Sequence, residues 1–245
     1  MTVVGCGDAF GSGGRLQTCL HVASGDDEFL IDCGATTLTG INRLGIDLNR
    51  VSAIFLTHLH GDHFGGLPFL LLHAQFVSRR TAPLTVWGPL GTEARVLMAA
   101  EALFPGSTTT RRKFTLQFGV YVERQPFVAA GATVTPHEVL HASGAPPYAL
   151  RFAIEGKVLA ATGDTEWVEA IVTAGAGADL LIAECYGFEG VPKYHLSWQQ
   201  IAANLDRIGA RRVLLTHMST ATLARAGEIR DARVLLADDG MRLDI

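Results

Sequence analysis

Short apolar runs of strand length alternate along this chain with longer segments whose apolar residues recur at helical spacing. Thr2–Gly5, residues 16–23 and residues 29–32 read as strands, the first two joined by a glycine-rich loop over residues 7–14. Residues 36–44 read as a helix stopped by Gly45, which suits a left-handed C-cap. A strand at 52–56, a helix at 66–79, a strand at 84–87 and a helix at 92–104 continue the alternation. Between 114 and 159 the strand-like runs crowd together, and 149–154 with Lys157–Ala161 predict a hairpin turning at Glu155-Gly156. A helix at 166–173, a strand at 180–183, a helix at 197–208 and a strand at 213–215 restore the alternation. Residues 234–237 and 241–243 read as a last hairpin across Asp238-Asp239-Gly240. Two sheets with helices outside them, in one α/β domain over residues 1–245, account for this order.

Composition narrows the function classes. Apolar residues make up 48% and charged residues 18%, which fits a packed core and not a disordered chain. The net charge of −4 argues against a surface that grips nucleic acid along its length. Arg79-Arg80, Arg211-Arg212 and Arg111-Arg112-Lys113 read as solvated surface. No apolar run approaches the ~18–20 residues of a membrane span, and the first residues lack the pattern of a signal peptide. Cys6, Cys19, Cys33 and Cys185 contain no C-x-x-C pair, which fits reduced thiols in a cytoplasmic protein. Gly5-Cys6-Gly7-Asp8-Ala9-Phe10-Gly11 matches neither the dinucleotide fingerprint nor a P-loop.

The chemistry concentrates in His58-Leu59-His60-Gly61-Asp62-His63, just past an apolar strand. A spacing of two on extended backbone points His58 and His60 the same way, and Asp62-His63 adds a carboxylate and a third imidazole. Gly61 and Gly65-Gly66 would free the backbone to turn there. Such a cluster is electrostatically awkward without a cation inside it. Leu215-Thr216-His217 echoes Leu56-Thr57-His58, so two histidines sit past strand C-termini, where α/β folds hold ligands.

His58-x-His60-x-Asp62-His63 resembles the H-x-H-x-D-H signature of the metallo-β-lactamase superfamily. The resemblance covers nearly the whole chain: His141 in Leu140-His141-Ala142-Ser143, Asp164 in Gly163-Asp164-Thr165 and His217 are similar to the family's later ligands. It implies an αββα sandwich of two mixed sheets with two divalent ions at one edge, Zn²⁺ first and Mn²⁺ second. His58, His60 and His141 would hold one ion and Asp62, His63 and His217 the other, bridged by Asp164 and a hydroxide. Family members that bind di-iron carry a glutamate where this chain has His60, so redox chemistry is not implied. The metals would leave a positive mouth suited to a small anionic ester.

His195, before the helix at 197–208, resembles a histidine that the ribonuclease Z-like and small phosphodiesterase branch carries outside the metal shell. Asp62 and His195 are the candidate catalytic residues, His195 as acid toward the leaving oxygen. The alternative for His195 is an ordinary residue near the cap Ser197. Glu184 either supports the site or is a solvated strand-end carboxylate, and Arg15 either meets phosphate or is a surface arginine. Tyr148 and Tyr194 line the pocket or pack in the core, while His21, His73 and His137 read as structural. Ribonuclease Z proteins that process tRNA insert a long arm between the third ligand and the bridging aspartate. Only 23 residues separate His141 from Asp164, which points away from tRNA and toward a small or cyclic phosphodiester. The alternatives are a ribonuclease Z-like endonuclease, a thioester, lactone or sulfate-ester hydrolase, and a non-catalytic metal-bearing binding protein. The apolar face of residues 67–77 could serve a homodimer as well as a core.

Overall fold

The alternation of apolar residues along each strand decides the layering in the computed structural model, which describes residues 1–245. The first sheet has six strands in sequential order: β1 (Thr2–Gly5), β2 (Cys19–Ser24), β3 (Asp27–Ile31), β4 (Val51–Phe55), β5 (Leu84–Gly88) and β6 (Leu116–Val120). β1 to β3 are antiparallel and β3 to β6 parallel. The second sheet has seven, β7 (Phe127–Ala129), β8 (Ala132–Glu138), β9 (Tyr148–Ile154), β10 (Lys157–Ala161), β11 (Leu180–Glu184), β12 (Val213–Thr216) and β13 (Val234–Leu236). β7 to β10 are antiparallel and β10 to β13 parallel.

Val3, Phe29, Ile31 and Phe55 of the first sheet meet Val134, Phe152, Leu159 and Leu214 of the second in one central core. Their sequence neighbours face the other way, Val4, Leu30 and Ile54 against helices α1 (Thr37–Leu44), α3 (Leu67–Phe76) and α4 (Thr92–Leu103), with the short α2 (Gly61–Phe64) between. Leu181, Val213 and Leu215 likewise pack on α5 (Glu169–Gly175) and α6 (Trp198–Ile208), and α7 (Thr220–Ala224) follows. Period-2 alternation between two apolar surfaces thus produces four layers, helix, sheet, sheet, helix, as expected. No helix is long and apolar enough to cross a membrane.

Boundaries shift where distant hydrogen-bond partners capture the backbone. Residues 16–18 leave the expected strand because Leu16 N–H donates to Asp239 and Gln17 N–H to the Thr36 hydroxyl. Residues 166–168 precede α5, with the Glu166 N–H donating to Leu140 O. Ser197 caps α6 in a reciprocal capping box with Gln200, as the helix start required. Glu155 and Gly156 both take positive φ, 48° and 80°, the pattern of a tight hairpin turn.

The final hairpin does not form. β13 runs parallel to β12 in the second sheet, whereas residues 241–243 cross to β1 of the first, where Val3 N–H donates to Met241 O at 2.8 Å. Asp239 draws the chain over: its carboxylate accepts Cys6 N–H at 3.0 Å and Leu16 N–H at 2.7 Å. The tail therefore ties the two sheets together.

Phe29, Phe55 and Phe152 form the centre of the sandwich with ring centroids 5.2 Å apart. Truncation by Phe152→Ala should destabilise the fold by about 3–5 kcal/mol, measured by denaturant unfolding; a loss under about 1 kcal/mol would contradict this packing.

Candidate metal centre

Five strands deliver their C-terminal ends to one edge of the sandwich. β3 leads to Asp32, β4 to Thr57 and His58, β10 to Asp164 and β12 to His217, while β11 ends at Glu184. Asp32 and His217 take left-handed φ values of 59° and 58°, a conformation that costs non-glycine residues of order 1–2 kcal/mol and that the surrounding bonds hold in place. Gly65 and Gly66 have ordinary φ and are required for space instead. A Cβ on Gly66 would lie 2.2 Å from Gly34 O.

Two groups of donors gather there. The ligand atoms of His58, His60 and His141 lie within 4.8 Å of one another, as do those of Asp62, His63, Asp164 and His217. Asp164 stands between the groups: Oδ1 is 3.3 Å from His63 Nε2, and Oδ2 is 3.4 Å from His217, 3.8 Å from His141 and 3.9 Å from His58. All seven sequence-predicted ligands are thus brought together, and all but His60 are buried.

The hydrogen bonds fix where each imidazole aims its lone pair. Thr57 donates its hydroxyl to Asp32, so His58 Nδ1–H donates to the Thr57 oxygen at 3.1 Å, leaving Nε2 buried without a partner. His60 donates Nε2–H to Ala142 O at 3.1 Å, and His141 donates Nδ1–H to Tyr194 O at 2.8 Å. The two remaining nitrogens, His60 Nδ1 and His141 Nε2, face each other at 3.0 Å as acceptors with no proton between them. His63 donates Nδ1–H to Asp32 at 2.8 Å, and its Nε2 is likewise orphaned, as is Asp164 Oδ1. In the first group, converging acceptors with no donor among them suit a cation, and imidazole with carboxylate suits a borderline divalent ion.

Charge separates the two groups. Burial, helped by neighbouring imidazoles, pushes His58 and His141 below the ordinary histidine range, so they are neutral and ligand-competent. Burial works against protonated His63 and His217 as well, but Asp164 outweighs it, and His217 rises to about 9. Asp62 is held far below the carboxylate range because His63 and His217 overcome its desolvation.

His195 lies beside the cluster, with Nδ1 3.0 Å from Glu184 Oε1 and 4.0 Å from Asp164 Oδ2. Burial opposes its protonation, but the hydrogen bond and charge of Glu184 raise its pKa above the ordinary value. Glu184 is buried and also accepts Thr165 N–H and Tyr186 N–H, so it is not a solvated carboxylate. Arg15 leans toward Asp238 at 3.8 Å and does not border the open cavity of about 360 Å³ that holds His60, Asp62, His141, Asp164, His195 and His217. Tyr148 is buried against Tyr121, and Tyr194 contributes its backbone carbonyl. His21 pairs with Glu28, and His73 and His137 lie outside the cluster.

Sequence reasoning missed Asp32, absorbed into the expected strand 29–32. Its signal was a carboxylate closing an apolar strand directly before Cys33-Gly34. The backbone carbonyls of Ala142 and Tyr194 carry no residue-type signal at all.

The family profile described as anti-Pycsar protein Apyc1 matches residues 1–238. A ribonuclease Z of Shouchella clausii is 28% identical over 270 residues, covering 86% of this chain and 85% of that protein. Among solved structures, the metallo-β-lactamase fold protein YhfI from Bacillus subtilis superposes with TM-score 0.80 at 22% identity, covering 98% of this chain and 96% of that one. Human tRNase Z, short form, superposes with TM-score 0.79 at 25% identity and the same coverage. These similarities bear out the αββα fold and a metal-dependent hydrolase of the ribonuclease Z-like branch. They do not bear out the expectation against tRNA.

Ligating histidines oriented by a carboxylate lose about 10–100-fold in metal affinity when that carboxylate is removed. Asp32→Asn should weaken Zn²⁺ binding by that factor in competition with a chelating dye while far-ultraviolet circular dichroism stays unchanged; unaltered affinity would contradict the role given to Asp32.

Proposed function

Because the chain belongs to the anti-Pycsar protein Apyc1 family, within the metallo-β-lactamase superfamily, we propose that it hydrolyses a small or cyclic phosphodiester with two divalent metal ions, Zn²⁺ before Mn²⁺. The facing acceptors of His60 and His141, 3.0 Å apart, carry this reading. His58, His60 and His141 would hold one ion, Asp62, His63 and His217 the other, with Asp164 shared. When bound, the ions supply Lewis acidity toward a phosphoryl oxygen and make a water acidic enough to attack at neutral pH.

The chain's own residues do the rest. Thr57 fixes the tautomer of His58, which engages without losing a proton, whereas His63, oriented by Asp32, and His217 would each release one on ligating. Asp62 and Asp164 stay ionised and keep the cluster from becoming a repulsive set of cations. Glu184 grips His195 Nδ1 and holds the ring at the cavity, where Nε2 hands a proton to the departing oxygen. The β9–β10 hairpin fills the segment between His141 and Asp164, so no long insertion stands there. Relatives named ribonuclease Z keep an RNA phosphodiester as the second reading. A homodimer would cover Phe69, Phe76 and Val77, which stand exposed along and just past α3. The cytoplasm, with its reduced thiols, is the proposed compartment.

The test is hydrolysis of bis(p-nitrophenyl) phosphate, a 2′,3′-cyclic nucleotide and a precursor tRNA, with metal content measured on the same sample. Two ions per chain and turnover of the small diesters, abolished in Asp164→Ala, are the expected result. His195→Ala should lower kcat on the cyclic nucleotide by about 10²–10⁴-fold, and by less on the nitrophenyl ester, whose leaving group needs no proton. Faster cleavage of the tRNA would favour the second reading. Two bound ions without diester turnover would refute the assignment and redirect it to thioesters, lactones and sulfate esters.

A further inference from the structure

Phe10 is 81% exposed, more than any other large apolar side chain of the protein, yet it borders the cavity that holds His60, His141, Asp164 and His217. A phenyl ring left bare at the mouth of a cavity is apolar surface that a ligand in the cavity would cover. The loop that carries it is firmly held. The fully buried Asp8 accepts Phe10 N–H at 3.1 Å and Ser12 N–H at 2.9 Å through one oxygen, and the Ser12 hydroxyl at 2.7 Å through the other. Gln17 donates its side-chain amide to Ala9 O, and Gly11 supplies the positive φ of 67° that closes the turn. A ring on so constrained a turn is presented at a fixed place, so binding to it costs little ordering.

The same cavity contains Lys193, a cation, and Tyr186, whose ring is already stacked on His195 at 4.9 Å. A free aromatic face and a cation beside a phosphodiester-cleaving centre are the two elements that recognise a phosphate carrying a planar base. The volume of about 360 Å³ lies within the ~300–1,000 Å³ of small-molecule sites.

We propose that Phe10 is a specificity-determining residue whose bare ring stacks on the base of a nucleotide-type phosphodiester, with Lys193 supplying charge for its phosphate. This rests on the phosphodiesterase reading above.

The experiment compares kcat/KM for a 2′,3′-cyclic nucleotide with that for glycerol 1,2-cyclic phosphate, which has the same ring and no base. In Phe10→Leu, which keeps the bulk and removes the π-face, the ratio of the two should fall about 5- to 150-fold, and Phe10→Tyr should restore it. Calorimetric binding of the nucleoside monophosphate product should weaken by a similar factor in Phe10→Leu. An unchanged ratio with unchanged product binding overturns the stacking platform and leaves the phosphodiesterase reading standing. Failure of the unsubstituted, metal-loaded enzyme to cleave either diester overturns that reading, and this one with it.

Discussion

His60 Nδ1 and His141 Nε2 confront each other at 3.0 Å, each with its proton committed to a backbone carbonyl on the far side of its ring. Two lone pairs at that distance repel, and the neighbouring lone pair of His58 is buried with nothing to receive it. Protonating one ring would relieve the conflict, but burial disfavours a charge on His58 and His141. A cation satisfies all three at once. Across Asp164 the second group solves the opposite problem, because Asp62, Asp164 and Asp32 bring negative charge to His63 and His217. The first group is therefore a set of mutually incompatible acceptors that a cation would reconcile, while the second is held by its own carboxylate–imidazole pairs.

The fold holds that set in place against its own repulsion. Parallel strands end in register at one edge, so residues distant in sequence arrive at the same depth. Both sheets contribute, and the phenylalanine centre between them fixes their separation. The tail passing from β13 to β1 adds a covalent tie, and the His217 N–H donates to Cys6 O at 2.8 Å, joining the sheets again beside the ligands. Asp32 supports both His63 directly and His58 through Thr57, so one buried carboxylate orients a ligand in each group.

Much of this was legible in the residues themselves. The H-x-H-x-D-H run stood out because ligand chemistry admits few residue types and the strands because apolar alternation is local, whereas His141, Asp164 and His217 could be named as ligands only through the family resemblance. Asp32 was hidden for the converse reason, since an aspartate after a strand is common and only its contacts distinguish it. The last hairpin failed because Asp239 spends its carboxylate on Cys6 and Leu16, more than two hundred residues earlier, and no local pattern encodes such a partner. Residues 16–18 left their strand through the same contact. Arg15, although beside the right loop, was turned away by Asp238.

Anomalous diffraction at the zinc edge on crystals of the protein purified with Zn²⁺ tests the central claim most directly. Two metal peaks are expected, one among His58, His60 and His141 and one among Asp62, His63 and His217, with the Asp164 carboxylate between them. A single peak, or a peak among Glu184, His195 and His217 instead, would contradict that claim.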